Sequence, residues 1–149
     1  MMHSYKGTYI HSLDSKGRLT MPSRFRELTP DGGVLAQGID ECLDFYPPDQ
    51  WDARAGRVAG TDDFTAAGRN ARRKLFASAE DCGFDKQGRI VIPASLRAAV
   101  GIEKNVAVVG AGERIEIWSI EEWERQKALV NEHAAEFMAE ASSQSVPST

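Results

Sequence analysis

The sequence predicts an α+β fold in which two related halves interdigitate around one core, with strands gathered in a small barrel and helices on its flank. Three observations lead there. Asp14 to Arg26 aligns without gaps on Asp85 to Arg97, at an offset of 71 residues, with Asp, Gly, Arg, Pro and the final Arg identical. Strand-like residues precede each proline and a helical apolar face follows it. Each half, at about 70 residues, stands near the lower size limit for folding alone, so two similar halves gain by burying a shared core.

The elements follow in order. Ser15-Lys16-Gly17 forms a turn into a strand from Arg18 to Met21, and Pro22 opens a short helix whose apolar face is Phe25 and Leu28. Two further strands follow, the second at Leu43 to Tyr46, and a helix with Trp51, Ala55 and Val58 on one face runs to Gly60. Residues 61–80 are expected as a linking helix with Phe64, Ala67, Ala71 and Leu75 inward and Arg69, Arg72, Arg73 and Lys74 mostly outward.

The second copy repeats the plan. Lys86-Gln87-Gly88 turns into a strand from Arg89 to Ile92, and a short helix with Leu96, Ala99 and Val100 follows Pro93. Asn105 to Gly110 and Glu113 to Trp118 read as strands hinged at Gly110-Ala111-Gly112. Ser119 and Glu122 have the spacing of a capping box. The helix they open carries Trp123, Val130, Ala134, Phe137 and Ala141 on one face. The expected organisation is a first repeat over 1–60, the linking helix over 61–80, a second repeat with its C-terminal helix over 81–141, and a disordered polar tail over 142–149.

Of the 149 residues, 42% are hydrophobic and 27% charged, as in a soluble globular protein, and no apolar run is long enough to span a membrane. The opening residues lack a secretory signal's apolar stretch, and two cysteines, Cys42 and Cys82, make no disulfide scaffold, so a cytoplasmic location is expected. The formal net charge of −4 argues against a nucleic-acid binder until its distribution is read. Lys16, Arg18, Arg24 and Arg26 cluster with one acid between Asp14 and Arg26, while eight glutamates crowd Glu113 to Glu140.

The paired Asp-x-x-Gly-Arg loops are the sharpest chemical feature. Gly17 and Gly88 allow a positive φ. Asp14 and Asp85 can accept backbone amides two residues on and can hold an arginine. Two readings stay open: cationic tips presenting Lys16, Arg18, Lys86 and Arg89 to phosphates or base edges, or internally braced hairpin turns without a ligand. Arg24, Arg26 and Arg97, on the helices after the prolines, can add phosphate contacts or form a solvated face, and the arginines of residues 69–74 rank below the loops.

Catalysis finds little support. His3, His11 and His133 are isolated, neither cysteine has a base nearby in sequence, and no phosphate-cradling glycine loop occurs. No cofactor, metal site, small-molecule ligand or enzyme activity is expected. Trp51, Trp118 and Trp123 suit core or interface packing.

Tyr5-Lys6-Gly7, Leu13-Asp14-Ser-Lys-Gly-Arg18-Leu-Thr-Met-Pro22-Ser-Arg-Phe25-Arg26 and Asp85-Lys-Gln-Gly-Arg89-Ile-Val-Ile-Pro93 resemble the MraZ family over nearly the whole chain. That resemblance implies an AbrB-like swapped-hairpin fold. It also implies a ring-shaped homo-oligomer in the cytoplasm and nucleoid that binds short direct repeats in double-stranded promoter DNA of the division and cell-wall gene cluster, usually as a repressor. It places DNA contacts at Lys16, Gly17, Arg18 and Arg89, with Gln87 standing where the first loop has Lys16. An oligomeric interaction module without DNA binding is the competing expectation.

Overall fold

The short β-strands here cannot complete a sheet within their own half, and this shapes the architecture. The computed structural model describes residues 4–144. The chain runs β1 (Thr8–Ser12), β2 (Arg18–Thr20), α1 (Ser23–Leu28), β3 (Gly33–Gln37), β4 (Leu43–Tyr46), α2 (Pro48–Ala59) and α3 (Ala66–Ser78). The second half repeats this with β5 (Glu80–Cys82), β6 (Arg89–Val91), α4 (Ala94–Ala99), β7 (Asn105–Gly110), β8 (Ile115–Ser119), α5 (Ile120–Glu132) and α6 (Ala134–Ser143).

Six strands form one antiparallel sheet in the order β1-β7-β8-β4-β3-β5, and β2 pairs with β6 in a separate two-stranded ribbon. The order is palindromic when the halves are exchanged. β1 of the first half lines β7 of the second, and β5 of the second lines β3 of the first. The central β4–β8 ladder is symmetric about Asp44 opposite Glu116, and the ribbon about Leu19 opposite Ile90. β1 and β5 remain the edges of the sheet, and among the described residues no ladder joins them into a closed barrel.

One core fills the space between sheet and ribbon. Leu19, Met21, Phe25, Ile92, Leu35, Phe45, Ile115 and Ile117 are fully buried there, and Ile90 nearly so. Phe25 reaches it from α1 and meets the rings of Tyr5 and Tyr9 edge-on, at centroid distances of 5.5 and 5.3 Å. Tyr5 is fixed in turn by a hydroxyl–hydroxyl contact with Thr29. The opposite face of the sheet is covered by helices. Trp118 packs with Trp123 of α5 at 5.8 Å, and Tyr46 with Trp51 of α2 at 5.9 Å.

Several sequence expectations shift. The helix expected over 61–80 begins only at Ala66, because Thr65 caps it through Oγ1 accepting from Gly68 N. Phe64 therefore lies outside it and is 95% exposed; of the expected inward face only Leu75 is buried, while Ala67 and Ala71 are exposed. Ser119 caps α5 as its spacing indicates, accepting from Glu122 N at 3.2 Å. That helix ends at Glu132, and α6 starts afresh beyond His133 with its apolar residues uncovered. Of the expected tail, Ser142 and Ser143 belong to α6, and residues 145–149 lie outside the described residues.

Removing the Phe25 ring leaves a hole that the surrounding ladders cannot collapse to fill. We expect Phe25→Ala to cost about 3–5 kcal/mol in urea unfolding; a loss below about 1 kcal/mol would show that the site is not part of the shared core.

Candidate nucleic-acid interface

Each Asp-x-x-Gly-Arg loop is closed by its aspartate. Asp14 Oδ1 accepts the amides of Lys16 and Arg18, both at 2.9 Å, and Oδ2 accepts Arg18 Nε at 2.6 Å. Asp85 repeats the pattern with the amides of Gln87 and Arg89 at 2.9 Å and Arg89 Nε at 2.8 Å. Backbone bonds complete both turns: Gly17 N donates to Asp14 O at 3.0 Å and Gly88 N to Asp85 O at 2.9 Å.

Gly17 and Gly88 have φ of +74° and +76°, where a side chain is strained. Each also lies beneath an arginine of the other half. A Cβ added at Gly17 would come within 3.0 Å of the Arg97 guanidinium carbon, and one at Gly88 within 2.6 Å of Arg26 Cδ. Arg26 and Arg97 are anchored alike, with Nε donating to Met21 O and Ile92 O at 3.0 Å. The loops are thus knitted to the ribbon's opposite ends, where Ile92 N donates to Gly17 O at 2.9 Å and Met21 N to Gly88 O at 3.0 Å.

Charge gathers here against the protein's average. Residues 14–28 and 85–100 hold seven cations against three carboxylates, although the whole chain carries −4. The structure brings together Lys16, Gly17, Arg18, Arg26, Lys86, Gly88, Arg89 and Arg97 at the ribbon, with Arg24 exposed on α1. The structure shows the internal bracing, and part of each arginine stays exposed. Arg18 and Arg89 are braced by their own aspartates through Nε, yet their side chains remain 29% and 24% exposed. Arg89 is held more fully, with Nη1 3.7 Å from Asp14 Oδ2 and Nη2 3.3 Å from Gln87 Oε1. Among the described residues the Arg18 side chain donates its hydrogen bond through Nε, which leaves the Nη edge of the fork for a further acceptor.

The α3 arginines serve the helix turn instead. Arg72 pairs with Asp63 at 3.0 Å and reaches the carbonyl of Ala59, and Arg69 Nη1 donates to Asp63 O at 2.9 Å. They brace α2 against α3 rather than engaging the C-terminal glutamates.

A buried polar cluster lies at the sheet's centre, unforeseen from the sequence. Asp44, 2% exposed, accepts Tyr46 Oη at 2.9 Å and lies 3.4 Å from Arg114 Nε; Arg114 Nη2 then donates to Glu116 at 2.8 Å. Burial raises the Asp44 pKa against the pull of Arg114, and burial also pushes the Cys42 thiol well above its usual range. Cys42, Asp44 and Glu116 form the one three-membered group of metal-ligand types among the described residues. Arg114 supplies a counter-charge to both carboxylates, 3.4 Å from Asp44 and 2.8 Å from Glu116. His11 lies on β1 and His133 between α5 and α6, and His3 lies outside the described residues.

The carboxyls of Asp14 and Asp85 are held below the ordinary 3.8, first by the amides of Arg18 and Arg89 and then by their guanidinium groups. A carboxyl favoured as its anion stabilises the folded loop above pH 3.8, and the contribution is lost as pH falls through the depressed value. Carbon-detected NMR titration should therefore give both carboxyls midpoints below 3.8, with the amides of Arg18 and Arg89 moving in step. Midpoints at or above 3.8 would contradict the loop geometry.

Comparison with known proteins agrees with the duplication. The family model of the MraZ protein, antitoxin-like by its description, matches twice, at residues 5–74 and 75–144. The chain is 44% identical to a protein of Thermomicrobium roseum named "Transcriptional regulator MraZ", over 85% of this chain and 89% of that one. Proteins of the same name from Heliobacterium modesticaldum and Alkaliphilus metalliredigens are 41% and 44% identical, over 88% and 78% of this chain and 89% and 82% of theirs.

Proposed function

The chain belongs to the MraZ family, and on that premise we propose that it is a non-enzymatic transcriptional regulator that binds double-stranded promoter DNA through its paired loops. One observation carries the proposal: two loops, each closed by its own aspartate and locked to the other half, present a concentrated positive surface on a net-negative chain. Pre-organised cations lose little side-chain freedom on meeting phosphates or guanine edges. The exchange of strands between halves supports reading the fold as an AbrB-like swapped hairpin, one chain standing for a symmetric pair. The names of the relatives support regulation. The family resemblance points to short direct repeats upstream of division and cell-wall genes, to repression, and to a cytoplasmic, nucleoid-associated location.

Assembly into a ring of further copies is part of the same proposal. Leu129, Val130, Phe137 and Met138 are 41–71% exposed on α5 and α6, helices rich in glutamate. Elsewhere, a groove of about 380 Å³ between α2, α3 and the β3–β4 loop holds Ile39, Val58 and Leu75, rimmed by Arg54, Arg57 and Lys74. An acidic apolar helix suits a cation-rimmed apolar groove. Because the two surfaces differ, the contact runs head to tail and closes into a ring if the rotation permits. Several loops on one ring then bind successive repeats at high effective concentration.

Two outcomes test this. Arg18→Ala should weaken binding to duplexes selected by the wild type about tenfold to a hundredfold, and flatten the dependence of affinity on salt, with the fold intact by circular dichroism; unchanged binding would reject the loop as the contact. Phe137→Asp combined with Met138→Asp should shift the mass measured by light scattering to that of a single chain, and an unchanged large assembly would reject the α6 contact.

A further inference from the structure

We infer that Thr20 and Val91 read base identity: the outer face of the β2–β6 ribbon enters the major groove, where their methyl groups contact thymine methyls between the Arg18 and Arg89 guanidinium groups. The inference rests on the DNA-binding reading above and adds the residues that choose the sequence.

The ribbon's two faces are sharply different. Leu19 and Ile90 are buried in the core at 0% and 1% exposure. By strand alternation the other face carries Arg18, Thr20, Arg89 and Val91. The register sets Arg18 opposite Val91 and Thr20 opposite Arg89, so the two arginines lie on one diagonal and the two β-branched side chains on the other. Val91 is 56% exposed and Thr20 is also exposed. An apolar side chain displayed between two cations contributes nothing to the core beneath it. It suits a partner that offers anionic, polar and methyl groups side by side.

The major groove offers that combination. It admits a two-stranded ribbon, and its floor carries guanine acceptors for arginine and the C5-methyl of thymine for an aliphatic group; the minor groove exposes no methyl. Size agrees. From Gly17, bonded to Ile92, to Met21, bonded to Gly88, the ribbon rises four steps, or about 14 Å, against a groove about 12 Å wide. Lys16 at one end and Lys86 at the other then reach phosphates while the four outer side chains stand over base edges. Exchange of the halves carries Arg18 onto Arg89 and Thr20 onto Val91. The recognised site is therefore nearly palindromic, with asymmetry where a hydroxyl replaces a methyl.

The test begins with wild-type protein and a pool of duplexes carrying a randomised central segment. Each thymine of an enriched duplex is then replaced by deoxyuridine, which removes one methyl and nothing else. Fluorescence anisotropy should show affinity falling about fourfold at one or two positions, the effect of one buried methyl. Val91→Ala should lower affinity for the thymine duplex by a similar factor and be indifferent to deoxyuridine at one of those positions. Thr20→Ala should be indifferent at the other. Neither variant should alter the salt dependence or the urea midpoint, since both side chains are exposed.

If wild-type affinity ignores every deoxyuridine replacement, or both variants keep wild-type sensitivity, methyl reading by the ribbon is overturned while DNA binding by the loops stands. If the wild type enriches no duplex, the DNA-binding reading falls and this inference with it.

Discussion

Backbone hydrogen bonding between the halves governs the rest of the molecule. β1 and β5 would each leave a row of unpaired amides and carbonyls if confined to their own half, and β3 and β7 would lose their outer partners. Exchange resolves both problems together, because β1 docks on β7 and β5 on β3 with the same antiparallel sense. The core then cannot be divided. Phe25 of the first half and Leu96 of the second enter the same apolar cluster, which no half could bury alone.

That exchange also makes the loops rigid. A turn on a lone hairpin would be free to fray, but here each turn is hydrogen-bonded to the strand of the other half and covered by the other half's arginine. Arg26 and Arg97 therefore work twice, as lids over Gly88 and Gly17 and as cations beside them. The aspartates do likewise. Asp14 and Asp85 spend one oxygen on the turn's own amides and the other on an arginine, so each guanidinium is aimed by a group that leaves part of it outward. One construction therefore braces each arginine and leaves part of it exposed.

The repeat, its turns, the proline-led helices and the Ser119 cap were legible because each depends on residues close in sequence. Interdigitation of the halves was expected, but the strands that carry it were not. β1 and β5 are short and mostly exposed, and the triplet Glu80-Asp81-Cys82 carries no strand pattern. Only its place 71 residues or so after β1 hinted at an equivalent element. Phe64 misled because a large apolar residue at helical spacing counted as inward, while the cap at Thr65 excluded it. Nothing in the sequence singled out Asp44, since alternation places an aspartate between apolar neighbours on a strand's polar face. In fact the sheet is buried on both faces, and alternation then separates one core from another rather than core from water. Thr20 and Val91 were legible in principle, since Leu19 and Ile90 between the arginines fix which way the ribbon faces.

Segregation of charge reconciles the acidic total with the anionic partner proposed above. The field near a surface is set by charges within about a Debye length, roughly 8 Å at physiological salt, and α5 packs on the sheet face opposite the core that the ribbon covers. Were DNA the partner as proposed, acids on the helices and cations at the ribbon would disfavour its binding against the helical face and would orient the protein on approach. The same glutamates stand beside the exposed apolar residues of α6 and keep that surface hydrated. On the DNA-binding reading proposed above, cations spread evenly would allow many poses, whereas cations concentrated on two locked loops would favour the one that sets the ribbon between them against the bases.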